Sequence, residues 1–503
     1  MNNEVSILKW AAGLKSKIPD DIKFDVPALL DLIKAHNLSE RILHRINKST
    51  PPWVHSEFLD GLYELQLANR QKINSNIIAL RELRDELTEH THALMIKGFS
   101  TYILCNQEET LRGGDIDLLS NNPDEVISKL ISLGYSQTRM PFLHELGEYT
   151  RESIEFDIHD NFPVNYYSDN LLQADLVPSS NPDAWVQNYQ FLHKEIRFSN
   201  LAENACYGRN DRTSHVMVTD PNYLAIVLCA HAFMNYVNMW SISHREKTYI
   251  RLSEIADLFV LSKHPLFQKE KFLSYVKYYR ANDAVEWAAS IATRLLGENP
   301  LPVTFTLNDH SFSQRFPRCL WWNFWAALPL DLENALQTNW LSMNWLTKHV
   351  GANLCSIKDE AVHTYSTVET KSASKITRYI TQSSVPFPIV LMISRSETGI
   401  TVNLQVQILS GCQTERVRID VGHQACELIY SIKDNRNVIV GAAMIRSFTQ
   451  RDTYYELTFD ISWETVKLIN APSNAFSFFL GVAHQSSSNE VISSLLVPLE
   501  IEY

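Results

Sequence analysis

The stretch Arg112-Gly113-Gly114-Asp115-Ile116-Asp117-Leu118-Leu119 constrains the chain more than any other. A glycine-bearing turn runs into a short strand where carboxylates alternate with apolar residues. Asp115 and Asp117 therefore share one face, and Ile116 and Leu118 the other. The apolar face belongs in a core, and the acidic face reads as a solvent-accessible site. Like charges held side by side repel, and such a pair persists when a cation or a shared proton offsets the repulsion. Carboxylate oxygens are the hard ligands that Mg²⁺ takes. An acidic pair at a loop edge that only faces water carries the same pattern, so its neighbours must be weighed with it.

A second strand, Ser153-Ile154-Glu155-Phe156-Asp157-Ile158-His159, alternates in the same way and sets Glu155, Asp157 and His159 opposite Ile154, Phe156 and Ile158. Asp157 is the expected third acid. Glu155 lies one pleat away, roughly 7 Å along the strand, too far for both to hold one ion alike. An imidazole brings no negative charge to a hard cation, which makes His159 the weaker Mg²⁺ ligand. Upstream, Ala93-Leu94-Met95-Ile96 reads as a strand, Lys97-Gly98 as a tight turn and Phe99-Ser100-Thr101 as a helix start, where backbone N–H groups suit a phosphate. Between the acidic strands, Pro123-Asp124-Glu125 opens a helix that Gly134 closes. The product is strand, helix, strand, helix, strand in a small mixed sheet.

This order of motifs resembles the bacterial uncharacterised nucleotidyltransferase family of the DNA polymerase β-like superfamily, over about the first three fifths of the chain. The resemblance implies Mg²⁺-dependent transfer of a nucleoside monophosphate from an NTP to a hydroxyl. Asp115, Asp117 and Asp157 would be the catalytic and metal-holding acids, for one or two ions. Lys97, Gly98, Ser100 and Arg112 would meet the nucleotide. The superfamily's glycine-serine pair appears here with Phe99 between Gly98 and Ser100. The helical half that follows contributes His231, Arg251 and Asp257 as further candidates beside His159. His231 also fits a hydrogen-bonded core histidine, and Arg251 with Asp257 a structural ion pair.

Composition narrows the acceptor. A formal charge of -12 over 503 residues argues against a protein that coats nucleic acid, which leaves a small molecule or a protein or peptide as acceptor. Seven scattered cysteines without C-x-x-C spacing signal neither a disulfide framework nor zinc, and fit a reducing cytoplasm. No apolar run is long enough to span a bilayer, and the N-terminus lacks a signal-peptide pattern.

The expected architecture is α+β and multidomain. Residues 1–92 form an N-terminal helical region, 93–200 a polymerase β-like catalytic core, 201–363 a helical domain and 364–386 a polar linker. Residues 387–503 carry eight short strand-like runs between polar turns, the pattern of an antiparallel β-sandwich. Its outline resembles carbohydrate-binding sandwiches, without a motif that would carry a ligand across. The competing reading is a degenerate nucleotidyltransferase fold that binds or assembles through its sandwich without turnover.

Overall fold

The computed structural model describes residues 3–13, 22–139, 144–167, 185–187, 191–237 and 250–304. Beyond these it describes 312, 315–321, 324–326, 336, 353–356, 363–366, 389–395, 398–408, 412–421, 424–431, 436–441, 445–451, 453–462, 475–485 and 491–502.

Four helices come first: α1 (Asn3–Ala12), α2 (Val26–His36), α3 (Ser39–Lys48) and α4 (Ser56–Glu86). The apolar spacing in α4 works as expected, since Ile73, Ile77, Leu80 and Leu83 are all buried. Its charged face is not left to water. Arg70 bonds Glu40 at 2.9 Å, Lys72 approaches Asp115 at 3.4 Å and Glu82 takes Arg151 at 2.6 Å.

The acidic strands belong to a mixed sheet. In chain order come β1 (Ala93–Met95), α5 (Ser100–Cys105), β2 (Ile116–Ser120), α6 (Pro123–Ser132), β3 (Ser136–Arg139), β4 (Glu145–Arg151), β5 (Ile154–His159), β6 (Phe162–Tyr167), β7 (Trp185–Gln187), β8 (Phe191–Ile196), α7 (Phe198–Ala202), β9 (Cys206–Tyr207) and β10 (Met217–Val218). Seven strands pair in the order β3-β4-β5-β2-β1-β10-β9, while β6 pairs with β8. α6 starts as its sequence requires: the Asn122 side chain accepts from the Glu125 N–H, and Pro123 fills the first turn. The β3–β4 hairpin was not expected. β3 is exposed along its length and has no apolar alternation to reveal it.

The following helices are α8 (Pro221–Val237), α9 (Leu252–Leu261), α10 (Lys269–Tyr278) and α11 (Asn282–Leu296). Asp220 caps α8 by accepting from the N–H of Asn222 at 2.7 Å. All ten residues of α9 are buried. One hydrophobic core runs from Val5 through the sheet to Leu336, so the stretches expected as separate units at 1–92, 93–200 and 201–363 pack as one.

The last part is β-structure: β11 (Arg318–Trp321), β12 (Phe324–Ala326), β13 (Asn353–Ser356), β14 (His363–Ser366), β15 (Ile389–Arg395), β16 (Gly399–Gln407), β17 (Thr414–Val421), β18 (Gln424–Ser431), β19 (Arg436–Gly441), β20 (Ile445–Gln450), β21 (Tyr454–Ser462), β22 (Ala475–Gln485) and β23 (Val491–Glu502). β11 and β12 pair with β7. The others form a six-stranded sheet, β13-β23-β22-β17-β18-β19, and a five-stranded one, β14-β15-β16-β21-β20. All pairs in these two are antiparallel except β13 with β23. Two expectations change here. From Arg318 on, the region expected to be helical contains strands, and the expected linker begins inside β14, because its Ser/Thr-rich sequence pairs with β15. Residues 367–386, the rest of that linker, lie outside the described residues.

Candidate functional site

Gly98 sets the shape of the cleft. Its φ is +69°, and a Cβ there would sit 2.9 Å from the backbone oxygen of Asp115, so only glycine lets the turn after β1 approach the turn before β2. Buried Arg112 holds that approach. Its Nε donates to the Gly98 carbonyl at 3.0 Å, its Nη1 to Ser253 Oγ at 3.2 Å, and its Nη2 lies 3.2 Å from Asp257 Oδ2. Asp257 Oδ1 also accepts from Arg41 at 2.7 Å. Arg112 is therefore a clamp between the turn and α9, with one N–H on each of its three nitrogens committed there while the residue also lines the cleft. Arg251 and Asp257 do not pair with each other, because Arg251 sits 3.4 Å from Glu254.

Asp117 is buried at 2 % exposure, contrary to the solvent-accessible face expected of it, because β2 lies inside the sheet and is buried throughout. Its carboxylate takes Lys97 Nζ at 2.7 Å and His159 Nε2 at 3.1 Å. Burial works to raise its pKa, but Lys97 and His159 win and hold it well below the usual carboxylate range. β2 and β5 run parallel with Asp117 opposite Asp157, so the third acid does lie beside the second. Asp157 accepts from Arg139 at 3.1 Å, and burial together with Asp117 pushes its pKa up to about 6. Burial and the charges of Asp115, Glu148 and Asp157 push Glu155 up to about 7.

Among the described residues, three groups bring their ligand atoms within 4.8 Å of one another: Asp115, Glu155 and Asp157; Asp117, Asp157 and His159; and His144, Glu145 and His159. Asp115 and Asp117, expected to act as a pair, fall in different trios joined by Asp157. Glu155, expected to be out of reach, converges on Asp157 because its side chain spans the pleat. The donor set fits a hard divalent cation: three carboxylates converge, and two of them bind protons more tightly than free acids do, as happens when countercharge is short.

These groups line a cleft of about 250 Å³ in which seven carboxylates face Lys97, Arg112, Arg139 and Arg251. His231 is on its wall and its Nδ1 meets Glu254 Oε1 at 2.9 Å. Ser100 is not, since its buried hydroxyl donates to the Lys97 carbonyl at 2.7 Å. Asp257 stays behind the wall with its two arginines. Sequence reasoning missed Arg139 and Glu148, which the unrecognised hairpin supplies, and Glu254, whose signal was its place three residues after Arg251.

The raised carboxyls carry a consequence for metal. At about pH 5 Glu155 and Asp157 hold protons that compete with a cation, while at about pH 8 both are ionised. Mg²⁺ is expected to raise the melting temperature more at the higher pH, as read by thermal unfolding with Mg²⁺ against chelator. An equal or larger shift at the lower pH would contradict the assignment.

A sequence model of the family described as "Uncharacterised nucleotidyltransferase" matches residues 23–297, which include every residue of this cleft. No curated protein matches the chain. Among solved structures, a carbohydrate binding module family 9 from Caldicellulosiruptor kristjanssonii in complex with cellotriose is 9% identical over 30% of this chain and 91% of that one, with a TM-score of 0.19. The same module in complex with glucose is 10% identical over 30% and 95%, with a TM-score of 0.20.

Proposed function

We propose that this chain, which belongs to the uncharacterised nucleotidyltransferase family, moves a nucleoside monophosphate from an NTP to a hydroxyl of a small-molecule or protein acceptor and releases pyrophosphate. The observation that carries the reading is the parallel register of Asp117 with Asp157, which gathers Asp115 and Glu155 into one carboxylate cleft. Asp115, Glu155 and Asp157 would hold one Mg²⁺, and Asp117, Asp157 and His159 offer a second set of ligands. Bound there, the metal supplies countercharge to the triphosphate and to the transferring phosphoryl group. A cleft with seven carboxylates would otherwise repel an NTP. Lys97 and Arg139 would meet phosphate oxygens once metal takes over the carboxylates that now hold them. Asp157, with a pKa of about 6, suits a base that takes the proton of the attacking hydroxyl near neutral pH.

The net charge of -12 supports an acceptor other than a polynucleotide. The two C-terminal sheets would pack as a β-sandwich that presents the acceptor; a ring contact between Tyr430 on β18 and Phe448 on β20, at 4.8 Å, supports that packing. The test is incubation with each α-labelled NTP and a cell extract, followed by mass analysis of whatever gains a nucleotide. Label transfer with Mg²⁺ and none with chelator is expected. The inward Ser100 hydroxyl and the Lys97–Asp117 contact favour a second reading, a fold that has lost turnover and acts through its sandwich. Absence of any Mg²⁺-dependent NTP binding would select it.

A further inference from the structure

A second cavity, about 810 Å³ in volume, opens where α1, α3 and α9 end, and it shares no lining residue with the acidic cleft. Among the described residues Arg41, Arg45, Lys48, Arg209 and Lys263 line it, against the single carboxylate of Glu109. Asp257 offsets Arg41, and the three helix ends contribute partial negative charge of roughly half a unit each, so among the described residues about one and a half positive charges remain without compensation. In a chain of net charge -12 this is a local reversal of sign. Arg45, Lys48, Arg209 and Lys263 have no carboxylate partner within ion-pair distance among the described residues. Arg45 instead lies over the Trp10 ring at 5.3 Å, and Arg209 donates to His264 at 3.2 Å. Burial and then neighbouring Arg41 lower the pKa of Arg45, as expected for a guanidinium short of countercharge.

The cavity also has an aromatic wall. Trp53 lines this cavity at 6 % exposure, and its indole N–H is buried with no hydrogen-bond partner among the described residues. The volume is that of a cavity for a small molecule, and the Trp10 and Trp53 rings, 5.6 Å apart, give it an apolar side.

We propose that this cavity binds a phosphorylated small molecule carrying at least two negative charges, separately from any nucleotide in the acidic cleft. Guanidinium and ammonium groups grouped without carboxylates match phosphate oxygens, which accept several charge-assisted hydrogen bonds at once. Arg41 stands between the two places. Its guanidinium lines the cavity while its Nη2 binds Asp257, which also contacts Arg112, the clamp on Gly98.

The test is calorimetric titration of the full chain with inorganic tripolyphosphate in chelator, a condition in which the metal-free acidic cleft repels anions. One binding site is expected. Lys48 and Lys263 are exposed, so Lys48→Gln with Lys263→Gln should fold normally and weaken binding by roughly tenfold, the effect of losing two charge-assisted contacts. Asp157→Asn should leave this affinity unchanged, which separates the result from the fate of the transferase reading. ADP that displaces tripolyphosphate would identify a nucleoside-bearing ligand, and ADP that fails to do so an inorganic one; either keeps the site. No binding by the wild-type chain, or equal binding by the double variant, would overturn the proposal.

Discussion

Asp157→Asn is expected to cut nucleotidyl transfer by about a thousandfold or more, the loss typical of removing a group that stabilises transition-state charge. Asp157 is common to the trio that holds Asp115 and the trio that holds Asp117, and among the described residues no other carboxylate is shared between such groups. Asparagine keeps the shape but loses the charge, so both sets of ligands weaken together, and the proton acceptor for the attacking hydroxyl is lost as well. Mg²⁺-dependent NTP binding should therefore fall along with turnover, whereas the linear spacing of the strand implies that Asp115 and Asp117 would preserve it. Glu155→Gln touches one trio only and should cost less. Label transfer and NTP binding measured side by side for the two variants decide the matter. An active Asp157→Asn beside an inactive Glu155→Gln would move the centre of the site to the Asp115 end of the cleft.

Where local pattern and tertiary placement agree, the sequence was enough to read the site. Alternation in Ser153–His159 identified the face that β5 turns to the cleft, and the Pro123-Asp124-Glu125 start and Gly134 stop bounded α6. The failures share one physical origin. Period-2 alternation reports which residues share a face but not whether that face meets water, so Asp117 was read as accessible when β2 is buried on both sides. Strand spacing reports Cα positions and not side-chain reach, hence the misplaced Glu155. Ser100 could not be read at all from its position. Its hydroxyl turns back on the Lys97 carbonyl, a local bond that competes with any ligand. Arg112 was recognised by its place before the acidic strand, yet its role depends on Ser253 and Asp257, more than a hundred residues away in sequence, which no local pattern can report.

Asp257→Asn is expected to destabilise the shared core by about 3–5 kcal/mol, the cost of removing one member of a buried ion pair and leaving its partner charged. Asp257 is 1 % exposed and stands between two guanidiniums, Arg41 at 2.7 Å and Arg112 at 3.2 Å. Arg41 has no other carboxylate within ion-pair distance among the described residues, and it already faces the cationic cavity, so its charge would be stranded. Arg112 would keep the Gly98 carbonyl and Ser253, with Glu254 no closer than 4.0 Å. Such a loss is a large part of the roughly 5–15 kcal/mol that holds a typical domain folded. Denaturant titration followed by tryptophan fluorescence should show the first transition at clearly lower denaturant, because Trp287 reports on this core. The turn at Gly98 should loosen before the core melts, since its clamp loses the carboxylate that orients it, and transfer should fall at temperatures where the variant is still folded. An unchanged midpoint would mean that both arginines find other acceptors, and the chain of contacts from Arg41 to Gly98 would then not be what holds the cleft in shape.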